Sequence, residues 1–85
     1  MQIDTDLLAV GREIARFRNA RRMSQEQLAE LAGLHRNYVS LVERGQRNPK
    51  LKTLFMIAEA LSTTPSELLA NIPALASSSR KCGDA

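Results

Sequence analysis

Few side chains in this sequence are equipped for covalent or metal chemistry. His35 is the sole histidine and Cys82 the sole cysteine. One imidazole without Cys or nearby acid partners builds neither a metal cluster nor a general-base pair. No nucleophile–base spacing or Gly-rich phosphate loop is present. The sequence therefore reads as a non-enzyme, with no cofactor, no metal and no apparent small-molecule ligand. Its chemistry is ionic. Residues 12–52 hold ten Lys and Arg against four acids, a local charge of +6, while the whole chain carries +3. A basic half of that kind suits a polyanion, nucleic acid first and an anionic membrane second. A solvated basic face with no partner is the plain alternative.

Eighty-five residues give one small domain, with no room for a second core. With 44% hydrophobic and 25% charged residues, wholesale disorder is excluded. A single Cys rules out an internal disulfide, so helix packing, oligomerisation or both must stabilise the chain. Met1 to Val10 contains Asp4 and Asp6 and no basic residue, so no signal peptide is expected. No apolar run approaches the ~18 residues of a transmembrane span, so no membrane-spanning helix is expected, and no membrane is counted among the expected partners. These features point to a reducing cytoplasm.

The elements follow from a recurring 3.6-residue period. Leu7, Val10, Ile14 and Phe17 mark a first helix over about residues 5–21, capped by Asp4 or Thr5. Ser24-x-x-Gln27 has the form of a capping box and starts a second helix, with Leu28, Leu31 and Ala32 inward. Gly33 ends it after about eight residues. A third run from His35 to Arg44 turns Val39 and Val42 inward, and Gly45 stops it. Leu51, Leu54, Phe55, Ala58 and Leu61 define a fourth helix. Thr64-Pro65-Ser66-Glu67 combines a capping box with a first-turn proline. A fifth helix over about 65–71 carries Leu68, Leu69 and Ile72, and Pro73 ends it. The fold class is all-α, a compact five-helix bundle over residues 1–76, with a flexible polar tail at 77–85.

The informative stretch is Gln25 to Arg44. Two helices meet at a tight turn holding Gly33, and small Ala29 lets the second cross closely over the first. That is helix-turn-helix geometry, in which the second helix can enter a DNA major groove. Here Arg36 lies at the groove end of the recognition helix and can donate two bonds to guanine O6 and N7. Asn37 can pair with adenine or hold a phosphate. Ser40, one turn on, faces a base edge or the backbone. Leu41 meets a thymine methyl or packs. Tyr38 props the recognition helix.

At these residues the sequence resembles the Cro/cI-type (XRE) family of DNA-binding domains, lambda-repressor-like in fold. Ser24-Gln25-Glu26-Gln27-Leu28-Ala29-Glu30-Leu31-Ala32-Gly33 is similar to the opening of its helix-turn-helix, and Val39-Ser40-Leu41-Val42-Glu43-Arg44-Gly45 to its close. Asn48-Pro49 with Leu51, Leu54 and Ala58 resembles its fourth helix. The likeness spans roughly residues 7–70. Arg36-Asn37-Tyr38-Val39-Ser40 and Arg44-Gly45-Gln46-Arg47-Asn48 resemble the small controllers of restriction–modification systems. The resemblance implies a phosphate contact from Gln25 at a helix N-terminus. It also implies an ion pair between Arg18 and Glu43 as scaffold support. His35, Arg47, Asn48 and Lys50 are further phosphate candidates, which position without reading sequence. Three positions depart from the family pattern. Arg22 stands where Gly is frequent, Lys50 where Ser or Thr caps the fourth helix, and His35 where Ser or Asp begins the third.

One short helix reads about four or five base pairs. Two copies on a two-fold axis, about 34 Å apart, read an inverted repeat. Leu69, Ile72 and Leu75 could form the face of a homodimer, or close the monomer's own core. The expected function is a sequence-specific transcription regulator on palindromic double-stranded DNA, its own operator among the candidate sites. The DNA-binding antitoxin of a toxin–antitoxin pair, and a helix-turn-helix used for protein contact, are the competing readings.

Overall fold

The computed structural model describes residues 4–72, and all five elements over that span are helices. They are α1 Thr5–Ala20, α2 Gln25–Ala32, α3 Arg36–Glu43, α4 Leu51–Ala60 and α5 Pro65–Leu68. Asp4 caps α1, its Oδ1 accepting from the backbone N–H of Asp6 at 3.0 Å and of Leu7 at 3.2 Å. Asp6 adds negative charge at the positive helix end. The α2 capping box is complete. Ser24 Oγ accepts from Gln27 N–H at 3.0 Å, and Gln27 Oε1 accepts from Ser24 N–H at 2.8 Å. Ser24→Ala removes one half of this reciprocal pair and should cost about 1 kcal/mol. A urea titration should show a lower midpoint at unchanged slope. An unmoved midpoint would mean the box contributes nothing.

Four helix ends close in one way. Each has a left-handed residue just past its last turn: Arg22 (φ 57°), Gly33 (φ 73°), Gly45 (φ 72°) and Ser62 (φ 57°). The next residue's N–H then reaches back to a carbonyl in the last turn. The bonds are Met23 to Arg18 (3.1 Å), Leu34 to Ala29 (2.8 Å), Gln46 to Leu41 (2.9 Å) and Thr63 to Ala58 (2.9 Å). This is the Schellman closure. Glycine adopts it freely at 33 and 45. Arg22 and Ser62 adopt it against the Cβ clash, at a cost of roughly 1 kcal/mol each. Arg22, which stands where Gly is frequent in the family the sequence resembles, thus makes with strain a turn that glycine makes freely.

The core is Ile14 of α1, Leu28 and Ala29 of α2, Val39 and Val42 of α3, Ile57 and Ala58 of α4 with Leu61 just past it, and Leu68 of α5. Val10, Phe17, Met23, Leu34, Tyr38 and Leu54 pack around it. Three expected core contributors lie outside. Leu31 is 63% exposed, Leu51 67% and Phe55 51%. At 100° per residue, Leu31 sits roughly 100° from the centre of the arc set by Leu28, Ala29 and Ala32. Phe55 is similarly displaced from the Leu54–Ile57–Ala58–Leu61 arc, and Leu51 sits in the first turn, beyond the core's edge.

α5 is shorter than expected and closes at Leu68. Thr64 Oγ1 accepts from Glu67 N–H at 3.1 Å, but the Glu67 carboxylate accepts the Thr63 hydroxyl at 2.8 Å, so the second half of that capping box is absent. Leu69 and Ile72 come next, as half-buried turn residues. Leu75, Pro73, Cys82 and the stretch 77–85 lie outside the described residues.

Candidate nucleic-acid interface

α2 and α3 are joined by the left-handed Gly33 turn, with Ala29 3% exposed beneath the crossing. α3 divides into two arcs. Val39, Val42 and Glu43 are buried and Tyr38 is half-buried against the core. On the other side Arg36, Asn37 and Arg44 are exposed, while Ser40 and Leu41 are half-buried. At 100° per residue this outward set spans about 140°. The core thus fixes which way α3 turns, and the sequence places its polar groups on the face left over. The partial burial of Leu41 fits a packing contact as well as a groove contact.

Many of the cations are already engaged. Arg16 Nη2 pairs with Glu13 Oε1 at 2.8 Å, and this guanidinium holds the Glu13 carboxyl below its ordinary pKa. Arg16 and Arg21 flank the Phe17 ring at 5.0 and 5.2 Å, and Arg21 also bonds the Phe17 carbonyl. Arg44 Nε bonds the Ser40 carbonyl at 3.3 Å. Arg47 lies 5.4 Å from the Tyr38 ring centre, a cation–π contact that keeps it beside α3. Arg36, Lys50 and Lys52 make no side-chain contact of these kinds among the described residues, and all three are exposed. Arg12 and Arg22 are likewise exposed and unengaged among the described residues. The unengaged cations among the described residues are therefore spread over α1, the turn after it, the first turn of α3 and the start of α4.

His35 and Lys50 occupy the N-cap positions of α3 and α4, and neither side chain makes a capping bond. The departures from the family pattern noted at these two positions thus leave both helix starts without side-chain caps. Both residues and Asn48 are exposed. Arg18 and Glu43 form the expected pair, Arg18 Nε to Glu43 Oε2 at 2.7 Å and Nη2 to Oε1 at 3.0 Å. Arg18 Nη1 also donates to the Met23 carbonyl at 2.8 Å, pinning the α1–α2 turn.

Three features are not visible in the sequence pattern. Gln25 Nε2 donates to Glu43 Oε1 at 2.9 Å, so the phosphate candidate is tied to the ion pair. Tyr38 cradles Arg47, which helical spacing alone does not reveal because Arg47 lies in a loop. Gly11, buried inside α1, faces the backbone of Val42 and Glu43 at the end of α3. A glycine inside an otherwise strong helical pattern is the one available signal for the last.

An outward polar arc on the second of two short helices, joined through a left-handed glycine, defines a helix-turn-helix protein. The helix-turn-helix family pattern matches residues 14–68, and the chain belongs to that family, of the Cro/cI (XRE) type. It is similar to the control protein C.SmaI of Serratia marcescens, 47% identical over 60 residues that cover 71% of each chain. Among solved structures it is similar to the restriction–modification controller C.AhdI from Aeromonas hydrophila. That match has 46% identity and a TM-score of 0.75, and covers 76% of this chain and 98% of the other. It is also similar to the controller C.Esp1396I, solved as a tetramer in complex with its natural 35 base-pair operator. There the identity is 31% and the TM-score 0.74, covering 79% of this chain and 88% of the other. Among the described residues no helix is long and apolar enough to cross a membrane.

Proposed function

We propose that this chain is a sequence-specific DNA-binding transcription regulator, acting as a homodimer on an inverted-repeat operator. The observation that carries this reading is the division of α3: a buried arc locked into the core and an exposed arc holding Arg36 and Asn37. Arg36, Asn37, Ser40 and Leu41 read base edges. Gln25, His35, Arg47, Asn48 and Lys50 hold phosphates. The likeness to C.SmaI, C.AhdI and C.Esp1396I supports a narrower role as the controller of a restriction–modification system. The protein works in the cytoplasm and is not an enzyme.

The domain comprises residues 1–76, and α5 with the segment after it forms the dimer face through Leu69, Ile72 and Leu75. Leu69 and Ile72 are only half-buried in the single chain. Leu51 and Phe55, one turn apart on α4, leave further exposed apolar surface for a second copy to cover.

Selection of bound duplexes from a random pool, followed by affinity and stoichiometry on the winner, tests the reading. An enriched inverted repeat bound by two chains is expected. No enrichment from folded protein at low salt would overturn it. Arg47→Ala should weaken binding to all duplexes alike and lower the salt slope by about one. Unchanged affinity and slope would remove Arg47 from the interface.

A further inference from the structure

We propose that Glu43 is a positioning residue for the operator backbone, acting through Gln25. This rests on the DNA-binding reading above, and deepens it at one site. Glu43 is the last residue of α3 and Gln25 the first of α2. The Glu43 side chain is only 6% exposed and Arg18 13%, so both are held by the fold. The carboxylate accepts three bonds, two from Arg18 and one from Gln25 Nε2. Arg18 is itself fastened to the Met23 carbonyl. Three elements therefore meet at one carboxylate, α1, the start of α2 and the end of α3, and Arg18 ties in the turn after α1.

The consequence lies in the Gln25 amide. A glutamine side chain at a helix start samples several rotamers, and ordering one on binding costs free energy. Here one amide N–H is committed to Glu43. An amide nitrogen carries two hydrogens, so a second N–H is left to donate, and its direction is set by the first. That second N–H, with the free backbone N–H groups of the α2 N-terminus, suits a phosphate oxygen. Glu43 thus does more than neutralise Arg18. It fixes the amide before DNA arrives, and it couples the end of the recognition helix to the group that grips the backbone. Removal of Glu43 alone would leave Arg18 partly buried without its counter-charge. The informative variant is the paired swap Arg18→Met with Glu43→Leu, which fills similar volume and still frees Gln25.

The test uses the selected operator and duplexes carrying one neutral methylphosphonate in place of a phosphate, scanned along each half-site. In the wild type, neutralising the phosphate that Gln25 meets should weaken binding about tenfold, the scale of a hydrogen bond to a charged group. Gln25→Ala and the paired swap should each bind the unmodified operator up to tenfold more weakly, and both should respond less than the wild type to neutralisation at that position, where the backbone N–H groups of α2 keep their share. Adding Gln25→Ala to the swap should cost less than it does alone. A merely structural ion pair would not lower sensitivity at a single phosphate. Wild-type affinity in the folded swap, wild-type sensitivity at that phosphate, or losses that multiply would each overturn the proposal. Should the swap fail to fold, relaxation of the Gln25 side-chain amide in the wild-type protein decides. An order parameter near the rigid-backbone value of about 0.85 is expected, and one below about 0.6 overturns it. If the wild type selects no operator, the DNA-binding reading itself fails and takes this inference with it. If it selects one that Gln25→Ala binds unchanged, the regulator reading stands and the Glu43 inference alone falls.

Discussion

Gly11→Ala should destabilise the protein by about 3 kcal/mol, from overpacking where the neighbour is backbone. A Cβ built at Gly11 would collide with the Val42 carbonyl oxygen, and would lie 2.5 Å from the Glu43 carbonyl oxygen and 2.7 Å from its carbon. No side chain can swing aside to relieve this. α1 and the end of α3 must separate, and Val39 and Val42 lose packing with Ile14 as they do. A small domain holds about 5–15 kcal/mol in total, so a large part of the stability is at stake. Thermal unfolding followed by circular dichroism should show the midpoint falling by roughly 10–20 °C. A fall of less than about 3 °C would mean that the two backbones do not approach this closely. The usual gain in helix propensity from Gly to Ala, up to about 1 kcal/mol, works in the opposite direction and is outweighed.

Arg36→Ala should leave the fold unchanged and cost about 1–3 kcal/mol of affinity for the best operator. That is roughly a tenfold to hundredfold weakening. Arg36 is exposed in the first turn of α3, and its guanidinium has no partner among the described residues, so no intramolecular bond must break for it to read a base. Repeating the duplex selection with the variant should relax the choice at one base pair per half-site. An equal loss on operator and random DNA would make Arg36 a phosphate contact. The pairing of these two variants is informative because they act on opposite sides of α3. Gly11 sits against its inner end, Arg36 on its outer face.

The helices were legible because their start signals are local. Asp4, Ser24, Thr64 and Pro65 each announce an N-terminus within four residues of chain, and the helices begin where they indicate. The ends were legible only where glycine marks them, at 33 and 45. At Arg22 and Ser62 the same left-handed closure runs against the preference of the residue, so residue type does not announce it. Burial was harder to read than helix position. Leu31, Leu51 and Phe55 are as apolar as Leu28 and Ile57, and only the direction in which neighbouring helices lie separates them. In the candidate interface, the Arg18–Glu43 pair came from family likeness. The Gln25–Glu43 bond joins residues eighteen positions apart and depends on how α2 and α3 cross, which no local pattern encodes.

The recognition helix is eight residues long, and its buried arc rests on only two valines and a carboxylate. Isolated helices shorter than about 12–15 residues are marginal in water. α3 therefore has no existence apart from the core beneath it. Its outward surface is assembled by folding and lost on unfolding. Only folded chains can occupy a target site, so occupancy falls with the folded fraction once unfolding becomes appreciable. Warming into the unfolding transition, or a change far from the DNA large enough to reach it, releases the site, while bound DNA in turn stabilises the fold.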